Sequence, residues 1–254
     1  MRTNRSEYGK ITKIFTRINV LGIRQVVRHR LLVPTFGGSN PSSPAKMTML
    51  KVTRDSHFLF AILIIMKNAI LLHGLPDKKE YYNPTRPSAS NSHWFPWLQK
   101  ELLMNEIKAD TPEVFRVFEL DWNSWVSEVE RFTIGPDTTL VGHSAGGGFW
   151  VRYLTEHPEI FVDKLILVAP WMDPDNKYSS NFYDFKLDPN IVERVKEFII
   201  FSSDNDGQEM KDTIDMLVEK LPNINVRVFH EYGHFTQRTL KDNKFPELLE
   251  IILA

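Results

Sequence analysis

The chain has no cysteine among its 254 residues. That excludes disulfides, thiolate metal sites and cysteine nucleophiles, and leaves serine, carboxylate and histidine side chains for covalent and acid–base chemistry. It is also compatible with a reducing compartment, so a cytoplasmic location is expected. Long apolar runs are missing too. The run FLFAILIIM at residues 58–66 is nine residues long, whereas a helix crossing a bilayer needs about twenty, so no membrane association is expected. Clustered metal ligands are likewise lacking. The close histidine pair in HEYGH, 230–234, straddles a glycine beside an apolar run and does not sit on a helix turn, so neither a metal nor another cofactor is expected. No internal repeat occurs, and no low-complexity tract follows residue 46.

Acidic residues are scarce at the start of the chain. Residues 1–65 carry eleven Lys or Arg but only Glu7 and Asp55, a balance of +9, while residues 66–254 balance at −10. Such a basic arm suits nucleic-acid binding or targeting, and the apolar run after it is of the kind found in signal segments. A third reading is that the arm is an over-extended gene start. One codon choice for Gly38, Ser39, Asn40 and Pro41 spells the T-arm of a transfer RNA gene, and Met66 opens MKNAILLHG, which starts directly on an apolar strand pattern. The expected organisation is therefore a basic extension over 1–65, disordered or mis-assigned, and one acidic domain over 66–254. Nucleic-acid binding by the acidic domain is not expected.

From Met66 onward, short apolar runs alternate with helical patterns. The runs are NAILL (68–72), TTLV (138–141), KLILVA (164–169), EFIIFS (197–202) and NVRVF (225–229). Helical spacing appears over 94–104, 145–156 and 208–220, and a last helix is entered at Pro246. This alternation predicts an α/β fold, a doubly wound, mainly parallel sheet covered on both faces. In such a sheet, ligands sit beyond the carboxyl ends of the strands. Residues 170–195, between two strands, form a short cap segment whose Trp171, Phe182, Tyr183 and Phe185 either line a pocket or pack.

One strand end carries LVGHSAGGGFW, 140–150, in which Gly142, His143, Ser144, Ala145 and Gly146 fit G-x-S-x-G between a strand and a helix. This is the nucleophile-elbow context: the glycines make room for a sharp turn that lifts Ser144 above the sheet edge, next to N–H groups at the helix start. A serine nucleophile needs a base, and the base an orienting acid. SDND, 203–206, and HEYGH, 230–234, end the two following strands at the same edge, which makes Asp204 and Asp206 candidate acids and His234, in a loop after Gly233, the candidate base. Leu75, in the HGLP loop after the first strand of the domain, has an N–H suited to an oxyanion hole, and Pro76 does not. His73 reads as a structural loop residue.

With LLHG, WFPWL, LVGHSAGGGF, YDFKLDPN, SDND and YGHF on the page, the chain from Met66 onward resembles an α/β-hydrolase. Within that fold it resembles the small serine hydrolases of the retinoblastoma-binding-protein type. The resemblance covers about three-quarters of the chain and none of residues 1–65. It implies a Ser-Asp-His triad that hydrolyses esters or related acyl compounds, with a small-molecule acyl substrate. Ser144 then matches the nucleophile, His234 the base and Asp206 the acid, while the N–H groups of Leu75 and Ala145 form the oxyanion hole. Asp204 stays open as the alternative acid, because Gly207 and Gln208 stand where members often carry a proline and a hydrophobic residue. An acyltransferase using the same acyl-enzyme, or a binding module that keeps the fold, are the alternative readings.

Overall fold

Apolar runs of four to six residues, too short for stable helices, become strands of one sheet. The computed structural model describes residues 67–178 and 180–254, together with the backbone of two earlier strands, β1 (Met47–Leu50) and β2 (Ala61–Ile64). β1 and β2 pair antiparallel, with Met47 opposite Ile64 and Leu50 opposite Ala61, in a two-stranded sheet of their own. The remainder of the basic extension, and the expectations attached to it, lie outside the described residues.

The following elements are β3 (Asn68–Leu72), α1 (Lys78–Tyr81), α2 (Phe95–Met104), β4 (Lys108–Asp110), α3 (Trp122–Val129), β5 (Thr138–His143), α4 (Ala145–Glu156), β6 (Val162–Val168), β7 (Val195–Ser203), α5 (Gln208–Lys220), β8 (Asn225–Phe229), α6 (Gln237–Leu240) and α7 (Pro246–Leu253). Six strands form one sheet in the order β4-β3-β5-β6-β7-β8, and every neighbouring pair is parallel. Side chains alternate across a strand, so the sheet divides its apolar residues between two cores. Ile70, Leu140, Leu165 and Ile200 pack with Trp125 of α3, Phe149 of α4 and Leu217 of α5 on one face. Leu71, Val141, Ile166 and Phe201 pack with Leu98 of α2 and Ile252 of α7 on the other. Each such side chain, fully buried, contributes roughly 1.5–3 kcal/mol at most. The fold is thus doubly wound α/β.

Among the elements not expected from sequence are β4 and α3. β4 is only Lys-Ala-Asp, and its strand character comes from parallel pairing with β3, Asn68 opposite Lys108. α3 carried a readable signal: the Asp121 side chain caps it by accepting the Ser124 N–H, and Trp125 and Val129 bury one stripe. The described residues between Pro170 and Asp188 form no helix or strand, and a 3-10 turn at Pro189–Arg194 leads into β7. Arg152 of α4 ties this segment down, donating to the carbonyls of Asn181 and Phe182 at 2.6 and 2.7 Å while its guanidinium lies 4.0 Å over the Trp122 ring.

Among the described residues, no helix is long and apolar enough to cross a membrane. No group of three or more His, Asp or Glu side chains among them is arranged to hold a metal ion.

Candidate active site

β5 is buried along its whole length, and the chain leaves it for α4 across one residue, Ser144, at φ 54° and ψ −121°. An L side chain rarely adopts this conformation, which costs about 1–3 kcal/mol and persists only where the surroundings dictate it. Here they do. The Ser144 N–H donates to Val168 O at 2.9 Å, and its carbonyl accepts from Gly147 N at 2.9 Å and Trp171 N at 3.1 Å. The flanking glycines have no room for a side chain: a Cβ on Gly142 would stand 2.5 Å from the Gly146 carbonyl oxygen, and one on Gly146 2.5 Å from that of His73 and 2.6 Å from that of Leu72.

Backbone atoms of a central strand cannot swing aside as a side chain would. Gly146→Ala is therefore expected to destabilise the protein by about 3 kcal/mol, read as a fall of roughly 6–12 °C in Tm. An unchanged Tm would show that α4 is free to move off the strand.

The loop after β3 rests on the same serine. A Cβ on Gly74 would lie 2.9 Å from Ser144 Cβ, which brings Leu75, the next residue, beside the turn. Among the described residues, neither the Leu75 N–H nor the Ala145 N–H donates to a backbone carbonyl.

Two histidine–aspartate pairs form where β7 and β8 end. His234 Nδ1 lies 3.2 and 3.1 Å from the two carboxylate oxygens of Asp206. His230 Nδ1 lies 2.5 Å from Asp204 Oδ2. They differ in burial: the Asp206 and His234 side chains are 5% and 29% exposed, those of Asp204 and His230 42% and 82%. They differ also in their relation to Ser144. His143, the residue before the serine, donates from Nε2 to the His234 carbonyl at 2.8 Å, and the two rings are 4.9 Å apart. Both candidate acids thus meet a histidine, but only Asp206 meets the one joined to the elbow.

Three further histidines surround this arrangement, and burial above all keeps each neutral. His73 Nδ1 donates to Gly74 O at 2.8 Å while its Nε2 accepts the Val114 N–H at 3.2 Å, so both ring nitrogens are used structurally. Its basicity is lowered by burial. His143 is held well below the usual imidazole range by burial and then by the neighbouring His234 and His93. His93, which accepts the Gln237 N–H on Nδ1 at 3.3 Å, is pushed down to about 4, by burial and then by His234 and Arg86. Unfolded histidines take up protons near pH 6.5, and these three do not in the folded state. Stability is therefore full above pH 6.5 and is lost as the pH falls below it. His93 alone should account for about 1 kcal/mol by pH 5.5. Urea midpoints at pH 7 and 5.5 check this, and equal midpoints would mean that the rings ionise in place.

The aromatics of the 170–195 segment divide. Phe182 is core, packed on Trp122, Trp125 and Phe149. Trp171 is buried with its Nε1–H on Glu209 Oε2 at 2.9 Å, and the Tyr183 hydroxyl donates to Ala145 O at 3.2 Å. Sequence reasoning passed over His93, His143 and Asn205. For Asn205 the sequence held no signal, because its partner is a backbone N–H far along the chain.

With this geometry in hand, three comparisons bear on the chain. The model of a family described as serine hydrolase matches residues 85–243, a span that includes Ser144, Asp206 and His234. The YdeN protein of Bacillus subtilis (strain 168) is 26% identical over 129 residues, 47% of this chain and 66% of the relative; the chain thus spans just under two thirds of that relative's length. Among solved structures, the ydeN gene product of B. subtilis superposes with a TM-score of 0.58 at 22% identity, covering 73% of this chain and 96% of that one. Est1E from Butyrivibrio proteoclasticus superposes with a TM-score of 0.51 at 12% identity, covering 81% and 96%. At these identities the superpositions show a common fold.

Proposed function

Because the chain belongs to the serine hydrolase family and carries its strained serine on a doubly wound α/β scaffold, we propose that it is a hydrolase that cleaves an ester or related acyl bond of a small molecule through an acyl-enzyme on Ser144. The observation that carries this reading is the strained turn at Ser144, which shares a sheet edge with a buried carboxylate paired to an imidazole.

His234 is the base and Asp206 its acid. Asp206 accepts the Nδ1–H of His234, which leaves Nε2 to take the Ser144 proton as Oγ attacks the substrate carbonyl. The oxyanion of the tetrahedral intermediate accepts the N–H groups of Ala145 and Leu75, each worth about 3 kcal/mol in such sites. His234 then protonates the leaving group, and a water activated by the same imidazole releases the acyl group. The imidazolium formed midway is stabilised by Asp206. Neutral His93 and His143 add no positive charge against it.

A fluorophosphonate probe tests the reading, because it reacts only with an activated serine. Its adduct, located by peptide mass spectrometry, is expected on Ser144. An adduct elsewhere, or none on a folded protein, would overturn the assignment.

A further inference from the structure

We propose that the run Ser203-Asp204-Asn205-Asp206 is a template that fixes the loop carrying His234, with Asn205 as its central positioning residue. The proposal rests on the reading of His234 as the base.

The ladder between β7 and β8 ends at Ser203 opposite Phe229, with one more backbone bond from Asp204 N to Phe229 O at 3.1 Å. Past that point the chain must turn, since Gly233 has φ 55° and His234 has to face back towards β5. Turning leaves the N–H groups of residues 231–233 without strand partners, and unpaired N–H groups out of water are costly. Consecutive side chains of the other strand take over. Asp204 Oδ1 accepts from Glu231 N at 2.9 Å, Ser203 Oγ from Tyr232 N at 3.0 Å, and Asn205 Oδ1 from Gly233 N at 2.7 Å. The Ser203 hydroxyl in turn donates to Asn205 Oδ1 at 2.8 Å. Because Gly233 N can only donate, the amide atom facing it is the oxygen. The series ends on Asp206 and His234 themselves.

Four successive side chains therefore hold five successive residues, 230–234. The acid and the base are held as one body, and Asn205 grips the residue immediately before the imidazole. Asn205 is itself an exposed residue, so replacing it leaves the core intact. Asp204 also gains a role distinct from that of Asp206: it holds Glu231 and His230 and does not serve the base.

Kinetics of p-nitrophenyl acetate hydrolysis by the full-length protein provide the test. A displacement of about 1 Å at a reacting group can cost up to 100-fold, so Asn205→Ala is expected to lower kcat by roughly 10- to 100-fold with KM changed less than about twofold. Asn205→Asp retains the acceptor oxygen and is expected to recover most of the rate. A merely structural role would lower Tm without this split and without rescue by the acceptor. Wild-type kcat in Asn205→Ala, or no recovery in Asn205→Asp, would overturn the template. If Asn205→Ala does not fold, Ser203→Ala takes its place, with the same expected fall in kcat. If the wild-type protein neither hydrolyses the ester nor takes the probe on Ser144, the serine reading fails first. Amide exchange at Tyr232–His234 then decides the template on its own, faster exchange in Asn205→Ala supporting it and unchanged exchange overturning it.

Discussion

Ser144→Ala is expected to abolish fluorophosphonate labelling and to lower kcat for short-chain p-nitrophenyl esters by on the order of 10⁶-fold, the effect of losing the nucleophile of a serine triad. Alanine at this position keeps the backbone penalty of φ 54°, and it keeps the backbone bonds that hold the turn. The loss of rate is then a loss of chemistry, and circular dichroism and Tm should match wild type. Retained labelling in the alanine protein would move the nucleophile elsewhere. Residual turnover above the water rate is expected in either case, because the oxyanion donors and the substrate contacts survive the substitution.

Asp206→Asn is expected to lower kcat by about 10⁴-fold, since an amide facing Nδ1 no longer selects the tautomer that leaves Nε2 free, nor stabilises the imidazolium. Asp204→Asn should cost far less. Its carboxylate pairs with His230, whose basicity it raises by hydrogen bonding and charge, and both side chains are solvent-exposed, His230 the more so, where such a pair contributes little. The reverse ranking of the two variants would transfer the acid role to Asp204.

The parts of this molecule legible in its sequence are those with local causes. NAILL and NVRVF become strands over the same residues, and α4 and α5 span the residues over which helical spacing appears. The turn at Ser144 is legible for the same reason, since its glycines stand within two residues of it. β4 is not, because Lys-Ala-Asp has no strand pattern and is made a strand by its neighbour. Which aspartate meets which histidine is likewise a long-range fact. Asp204 and Asp206 are two residues apart, as strand-end side chains of one loop, and only the path of residues 230–234 sorts them. Asn205 stayed hidden because its partner is a backbone N–H 28 residues away, a contact that no side-chain pattern announces.

The uniform direction of the six strands places every residue of the proposed site at one rim of this sheet and none at the other. Ser144, Asp206, His234 and Leu75 all follow carboxyl ends, while the segments 134–137, 157–161 and 222–224 enter β5, β6 and β8 from the opposite rim. A surface tether, a fluorescent label or an inserted epitope placed at that far rim stands a full strand length, about 17–20 Å, from the proposed chemistry. An attachment made there leaves the residues of the proposed site at the opposite ends of the strands.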